Sequence, residues 1–318
     1  MRLSLAIILG LTGALCWGGA DFAARFASRR VGAYRTLFFM QFFGFIALSI
    51  YLKFRSGFFE GIAPGWHPWA LAALAGVINM IASLSLYYSF QIGVMSIVGP
   101  VSSAYPALTV ALAVASGERI TALRGAGLAV TLVGVILAAT TFTTAAATPV
   151  NPNPERESPA NETGVKETGA KEAAAKETAH LSKGIGWALL AALGFGVLFW
   201  FLGFYVVPAV GPTISVWVIR LTCFSVLAVA AVPTRQSLKL PSGSVWWLLA
   251  AVGFLDTAAF VANNAGLHTG QVSVVSVLAS LYGAVTVLLA WIFLREKLER
   301  SQWFGIVLIF VGIVLVSI

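Results

Sequence analysis

GQVSVVSVLASLYGAVTVLLAWIFLRE, residues 270–296, has an echo in GVMSIVGPVSSAYPALTVALAVASGE, residues 93–118. The later copy carries one extra residue before its final Glu. With that allowance the runs share Gly93/Gly270, Ser96/Ser273, Val98/Val275, Ser103/Ser280, Tyr105/Tyr282, Ala107/Ala284, Thr109/Thr286, Val110/Val287, Leu112/Leu289, Ala113/Ala290 and Glu118/Glu296. The match continues at Gly127/Gly305 and Gly134/Gly312. Chance in apolar sequence accounts for shared Val, Leu and Ala, but not for a Gly, two Ser, a Tyr, a Thr and a Glu in order. The chain is a duplication, and each copy of the stretch is long and apolar enough to cross a bilayer.

Composition sets the class around that repeat. The 318 residues are 59% hydrophobic and 10% charged, with mean hydropathy +0.90. Soluble domains carry about 25% charged residues, so this chain cannot cover itself with water-compatible surface and is an integral membrane protein. Its net charge of +8 then belongs in loops at the headgroups rather than on a nucleic-acid surface. Cys16 and Cys223 both lie in apolar segments, which argues against a disulfide framework. The start, MRLSLAIILGLTGALC, has the look of a signal peptide. The residue before Cys16 is Leu15, however, not the small residue that cleavage wants, so it reads as a retained first helix.

Ten apolar segments follow by hydropathy, at 3–24, 31–52, 67–90, 94–116, 121–142, 184–207, 211–232, 244–266, 271–293 and 300–318. Tryptophans mark their ends: Trp66 and Trp69, Trp187, Trp246 and Trp247, Trp303. The runs do not alternate as barrel strands would, so the expected class is all-α, ten transmembrane helices. Residues 143–183 form the one long polar stretch. Its tandem ETGVK, ETGAK, EAAAK places Glu162/Lys166, Glu167/Lys171 and Glu172/Lys176 at i,i+4, after a rigid NPNP run, and reads as a spacer. The expected division is a five-helix repeat over 1–142, a linker over 143–183, and a second five-helix repeat over 184–318.

Five crossings per repeat make the second half enter from the opposite face, so the repeats are inverted, as in secondary transporters with a mid-membrane site between the halves. The basic loops conflict accordingly. Lys53, Arg55, Arg119 and Arg124 lie in the 2–3 and 4–5 loops, against Arg25, Arg29 and Arg30 in the 1–2 loop. In the second half Arg235, Lys239, Arg295, Lys297 and Arg300 lie in the 7–8 and 9–10 loops. Charge alone does not set orientation.

The intramembrane polar residues are the candidate site. Arg220 and Asp256 each cost about 2.5–3.5 kcal/mol in hydrocarbon, so each needs a partner or a wet cavity. Aligning Val31-Gly32 with Val210-Gly211 puts Gln41 opposite Arg220, and aligning Gly76 with Gly253 puts Asn79 opposite Asp256. Two readings stand: Asp256 as a cavity-facing cation-binding or proton-coupling group, with Arg220 tuning it or binding a substrate carboxylate, or an Arg220–Asp256 bridge fixing two helices. Asp21, in WGGADFAARF, reads as a carboxylate paired with Arg25 at i,i+4, with coordination of a substrate amine as the alternative. Asn263, Asn264 and His268 read as end-of-helix polar groups. Ser273, Ser276, Ser280 and Gly283 form one narrow face, matched by Ser96, Gly99, Ser103 and Pro106, and such faces serve close helix packing. Pro100 and Pro106 free carbonyls that a cavity tolerates and lipid does not. Tyr105 and Tyr282 then offer hydroxyls either to a substrate or to a neighbouring helix.

The Trp17-Gly18 pair, the runs SSAYPALTV and ASLYGAVTV, the terminal Glu118 and Glu296, and the last span QWFGIVLIFVGIVLVS carry a likeness. Both halves, without the linker, resemble the drug/metabolite transporter superfamily, specifically its EamA-type ten-helix members. That resemblance implies a basket of helices around a cavity lined by the first, third and fourth helices of each half, with Trp17 on the first. It also implies peripheral fifth and tenth helices and cytoplasmic termini. The chain has no GxxxxGK[ST], HExxH or GxSxG run and no metal-ligand spacing. The expectation is a multi-pass protein of the cell (inner) membrane with no enzymatic activity, cofactor, metal or nucleic-acid partner, acting as monomer or homodimer. Its expected role is secondary transport, as an exporter, of metabolites such as amino acids or amphipathic drugs, coupled to a proton or other ion or exchanging without coupling. The competing roles are a sugar-phosphate or lipid-linked carrier and a non-transporting scaffold.

Overall fold

A computed structural model describes residues 2–54, 64–92, 101–139, 184–241, 243–294 and 300–317. Among them the regular structure is helical throughout, with no strand. The first half supplies α1 (Arg2–Val31), α2 (Ala33–Lys53), α3 (His67–Ile92), α4 (Tyr105–Ala115) and α5 (Ala122–Ala139). The second supplies α6 (Gly184–Val210), α7 (Pro212–Ala231) and α8 (Val245–Leu267). Its ninth span comes as two pieces, α9 (Val272–Ala279) and α10 (Tyr282–Leu294), and α11 (Arg300–Ser317) is the tenth. Helices fall on all ten apolar segments read from the sequence. The start is a continuous helix running well beyond residue 24, because nothing in ADFAARFASRR stops it. Residues 93–100 with Ser96, Gly99 and Pro100, residues 295–299 with Glu296, and the 143–183 linker lie outside the described residues.

The duplication is visible in the backbone. Gly32 joins α1 to α2 at φ 87°, ψ 157°, and Gly211 joins α6 to α7 at φ 80°, ψ 163°. Each sits in a Val-Gly pair, and each adopts a left-handed φ that glycine alone takes without strain. The fourth and ninth spans break at equivalent places as well. One turns at Ala104 between Ser103 and Tyr105, the other at Ser280 and Leu281 before Tyr282. Both breaks are tightened by i→i−3 bonds: Ala104 to Val101, Ala107 to Ala104, Leu281 to Leu278 and Gly283 to Ser280. Pro106 excuses the first break. The second has Gly283 at that position instead. In α6 the segment Leu202–Val206 widens into a π turn just before Pro208, whose ring cannot donate to the preceding turn.

The outside of the bundle is apolar. Ile8, Leu15, Leu193 and Phe310 are all exposed, as lipid-facing side chains must be in a protein of this composition. Trp66 and Trp247, at helix starts, are 78% and 82% exposed, as expected of headgroup-level indoles. Inside, small residues let helices close on one another: Ala6, Ala27, Ala72, Ala75, Ala188 and Ala191 are fully or almost fully buried. The halves interleave, with α1 against α8, and α2 and α3 against α7.

At one edge α5 lies along α11. A Cβ on Gly134 would stand 2.8 Å from the Gly305 carbonyl oxygen and from the Ile309 nitrogen. One on Gly312 would meet Thr131 Oγ1 at 2.1 Å and the Gly127 carbonyl at 2.8 Å. The seven-residue glycine spacing is thus a backbone-to-backbone seam between the two repeats.

Candidate functional site

Between the halves lies a cavity with about 480 Å³ of space free of atoms, its open mouth included. From the first half, α1 contributes Trp17 and Asp21, α3 contributes Ser83, Leu86 and Tyr87, and α4 contributes Tyr105. From the second, α6 gives Phe195 and Phe199, α8 gives Asp256 and Phe260, and α10 gives Tyr282. The first, third and fourth spans of each half therefore meet here, with Met40 of α2 added. Among the described residues, none of α5 or α11 lines it.

Arg220 and Asp256 come together. Asp256 is the twelfth of 23 residues in α8, and the guanidinium of the fully buried Arg220 on α7 is ion-paired to its Oδ2 through Nη2. Nη1 of Arg220 donates to Gln41 Oε1 at 2.7 Å, and its Cζ lies 5.0 Å from the centre of the Phe260 ring. The second carboxylate oxygen of Asp256 accepts the Trp17 indole N–H at 2.9 Å. The carboxylate and its guanidinium partner together tie α1, α2, α7 and α8, because buried charges persist only when paired and hydrogen-bonded. Gln41 and Arg220, equivalent in the two repeats, touch directly. Asn79 and Asp256, the other equivalent pair, share no hydrogen bond. Asn79 donates to Cys223 Sγ at 3.5 Å while that thiol donates to the Gly76 carbonyl at 3.1 Å.

Asp21 corrects the sequence reading. It makes no ion pair with Arg25, nor any hydrogen bond among the described residues, and it lines the cavity. It is the twentieth of 30 residues in α1, well inside a helix that runs on to Val31. Its neighbours are Tyr87, Tyr282 and Asp256, each close enough to feel its charge. The hydroxyl of Tyr105 goes to a neighbouring helix, donating to the Ser276 carbonyl at 3.2 Å, while the residue lines the cavity. The Tyr282 phenol lies beside Ser102 and Ser103. Ser280 is fully buried, donates to the Val277 carbonyl at 2.7 Å and does not line the cavity. Its role is to close the break in its own span. Asn263 and Asn264 are fully buried rather than end-of-helix groups, and Asn264 donates to Ser215 Oγ at 2.9 Å. His268 is exposed at the end of α8.

Outside the spans, Glu118 reaches across to the second half. Its carboxylate accepts the Ser273 backbone N–H at 3.1 Å and the Ser273 hydroxyl at 3.0 Å, at the first turn of α9. Burial pushes its carboxyl above the usual range, and the two Ser273 bonds offset part of that rise.

The aromatic wall went unremarked in the sequence. Trp17 packs edge-on to Phe260 at 5.1 Å and tilted to Phe199 at 5.5 Å, and Tyr105 lies 5.1 Å from Phe199. One signal was available. Ser83 and Tyr87 follow Asn79 by four and eight residues, and Phe260 follows Asp256 by four, so each shares a helix face with its polar marker.

The profile of the EamA-like transporter family matches residues 4–140 and again 182–318. The chain belongs to the EamA-like transporter family. A solved crystal structure superposes on it with a TM-score of 0.73 at 17% identity, covering 99% of this chain and 98% of that one, a likeness of fold. An uncharacterized protein of Methanocaldococcus jannaschii is 48% identical over 52 residues, 16% of this chain and 38% of that protein's length. The EamA chain is thus a multi-pass membrane protein of two five-helix repeats.

Proposed function

We propose that the protein is a secondary transporter of small organic solutes, in which the inverted repeats rock about the central cavity and open it to alternate faces. The observation that carries this reading is the cavity itself, a polar and aromatic chamber built from equivalent spans of both halves. A scaffold would have filled that space with aliphatic side chains. A sugar-phosphate or lipid-linked carrier would want Arg220 free to meet a phosphate. Here its guanidinium is held by Asp256, Gln41 and the Phe260 ring, and it does not line the cavity.

The cargo we propose is a metabolite such as an amino acid, or an amphipathic drug, exported across the cell (inner) membrane by a monomer or homodimer. Asp256, Trp17, Asp21, Tyr105, Tyr282 and Ser103 line or border its path, while Arg220, Gln41, Asn79 and Ser280 hold the spans that form it. Coupling to a proton or another ion through Asp256 belongs to the same proposal.

The test is uptake into proteoliposomes from a mixed metabolite pool, with and without a pH gradient, read by mass spectrometry. Protein-dependent accumulation of specific solutes is expected. No accumulation of any solute in either condition refutes transport. Asp256→Asn with unchanged uptake and unchanged pH dependence refutes coupling at that carboxylate alone.

A further inference from the structure

Two carboxylates border the cavity, but their surroundings differ. Asp256 has its charge met by Arg220 and its other oxygen met by the Trp17 indole. Asp21 has neither. Arg220 is not among the residues that line the cavity, so among the described residues an ionised Asp21 has no cation beside it. A carboxylate withdrawn from water without a cation is unstable, and either takes up a proton or recruits a counter-charge.

The walls around Asp21 specify what kind of cation suits it. Metal ions want several oxygen, nitrogen or sulfur ligands, and no cluster of three His, Cys, Asp or Glu occurs among the described residues. The cavity instead offers ring faces, from Trp17, Tyr87, Phe199, Phe260 and Tyr282. Aromatic faces attract organic cations through the ring quadrupole and bury an apolar body at the same time. Among the described residues, an anion would meet two carboxylates on the wall and no cation.

Resting on the transport reading above, we propose that the cavity binds a monovalent organic cation, an ammonium carried on an aromatic or aliphatic body, with Asp21 as its counter-ion. The groups that face Asp21 are Asp256 from α8, Tyr87 from α3 and Tyr282 from α10, with Tyr105 of α4 also on the wall. None of them supplies a positive charge.

The test uses three probes of nearly one shape: 2-phenylethylammonium, 2-phenylethanol and 3-phenylpropionate. Equilibrium dialysis against the full chain in nanodiscs, corrected with empty nanodiscs, gives each affinity. The ammonium is expected to bind about tenfold or more tighter than the alcohol, and the carboxylate weakest. Asp21→Asn is expected to bring the ammonium to within about threefold of the alcohol while leaving alcohol binding in place, which also reports that the variant is folded. Equal affinities in the wild type, preference for the carboxylate, or no binding of any probe at millimolar concentration overturns the proposal. A preference that survives in Asp21→Asn overturns the assignment of the counter-ion. Uptake of the same probes into proteoliposomes separates the two readings. Movement of the alcohol or acid without the ammonium sinks this inference and keeps transport, whereas tight ammonium binding with no movement does the reverse.

Discussion

Replacing Arg220 and Asp256 by the amides that the first repeat carries at the same places makes a sharp test of how the bundle is held. Asp256→Asn leaves a fully buried guanidinium with no anion beside it, only neutral acceptors such as Gln41 Oε1 and the face of Phe260. Arginine cannot shed its proton, so the charge stays, and breaking such a pair costs about 3–5 kcal/mol. Arg220→Gln leaves Asp256 with the Trp17 N–H and a cavity wall at which a proton can be taken up. That single change costs less, about 1–3 kcal/mol. The double variant carries no charge and can re-form amide hydrogen bonds. Removing both members of a buried pair is often close to neutral, so it should lose only about 1–2 kcal/mol and the coupling energy should be about 2 kcal/mol or more. Unfolding of all four forms in mixed micelles of increasing SDS content measures the cycle. A double variant that loses the sum of the two singles would refute the reasoning, since the residues would then act independently despite their contact.

Two further expectations follow from sites outside that cluster. For Glu118, the folded protein holds the carboxyl proton more tightly than the unfolded chain does, so stability from this group falls as pH rises through and above the usual carboxylate range and is regained on acidification. Glu118→Gln keeps one acceptor oxygen for Ser273 and removes the charge, so the thermal midpoint should vary less between pH 5 and pH 8 than in the wild type; an unaltered slope counts against the assignment. At the seam, Gly312→Ala places a methyl against Thr131 and the Gly127 carbonyl and should cost about 1–3 kcal/mol. Gly186→Ala, with nothing within 4 Å of the new carbon, should be nearly silent in the same thermal assay, and equal losses would sink the packing argument.

Much of this architecture could be read before any coordinates. The Ser/Tyr-bearing repeat placed the duplication, and aligning Val31-Gly32 with Val210-Gly211 brought out Gln41 and Arg220, which the structure joins. Such alignments work because the repeats share a backbone, as the matched Gly32 and Gly211 conformations show. Asp21 was harder. Its i,i+4 neighbour Arg25 is the nearest cation in sequence, and hydropathy ends the first span at residue 24, so the local pair looked sufficient. The helix continues to Val31 and points the carboxylate inward, a choice made by tertiary packing rather than by spacing. The aromatic wall was hidden for another reason. With 22 Phe and 10 Trp in the chain, an individual ring carries no contrast until the helices that share it are assembled.

The glycine seam along α5 and α11 bears on how the halves can move. Where main chains of opposite repeats sit almost in contact, there is no side-chain slack to absorb sliding. A reorientation of one repeat against the other must then swivel about this edge, as a door does on its jamb, with displacement growing toward the spans farthest from it. The energetic demands of opening would accordingly fall on contacts such as the Tyr34 hydroxyl with the Leu227 carbonyl, which join the repeats through α2 and α7, away from the pivot.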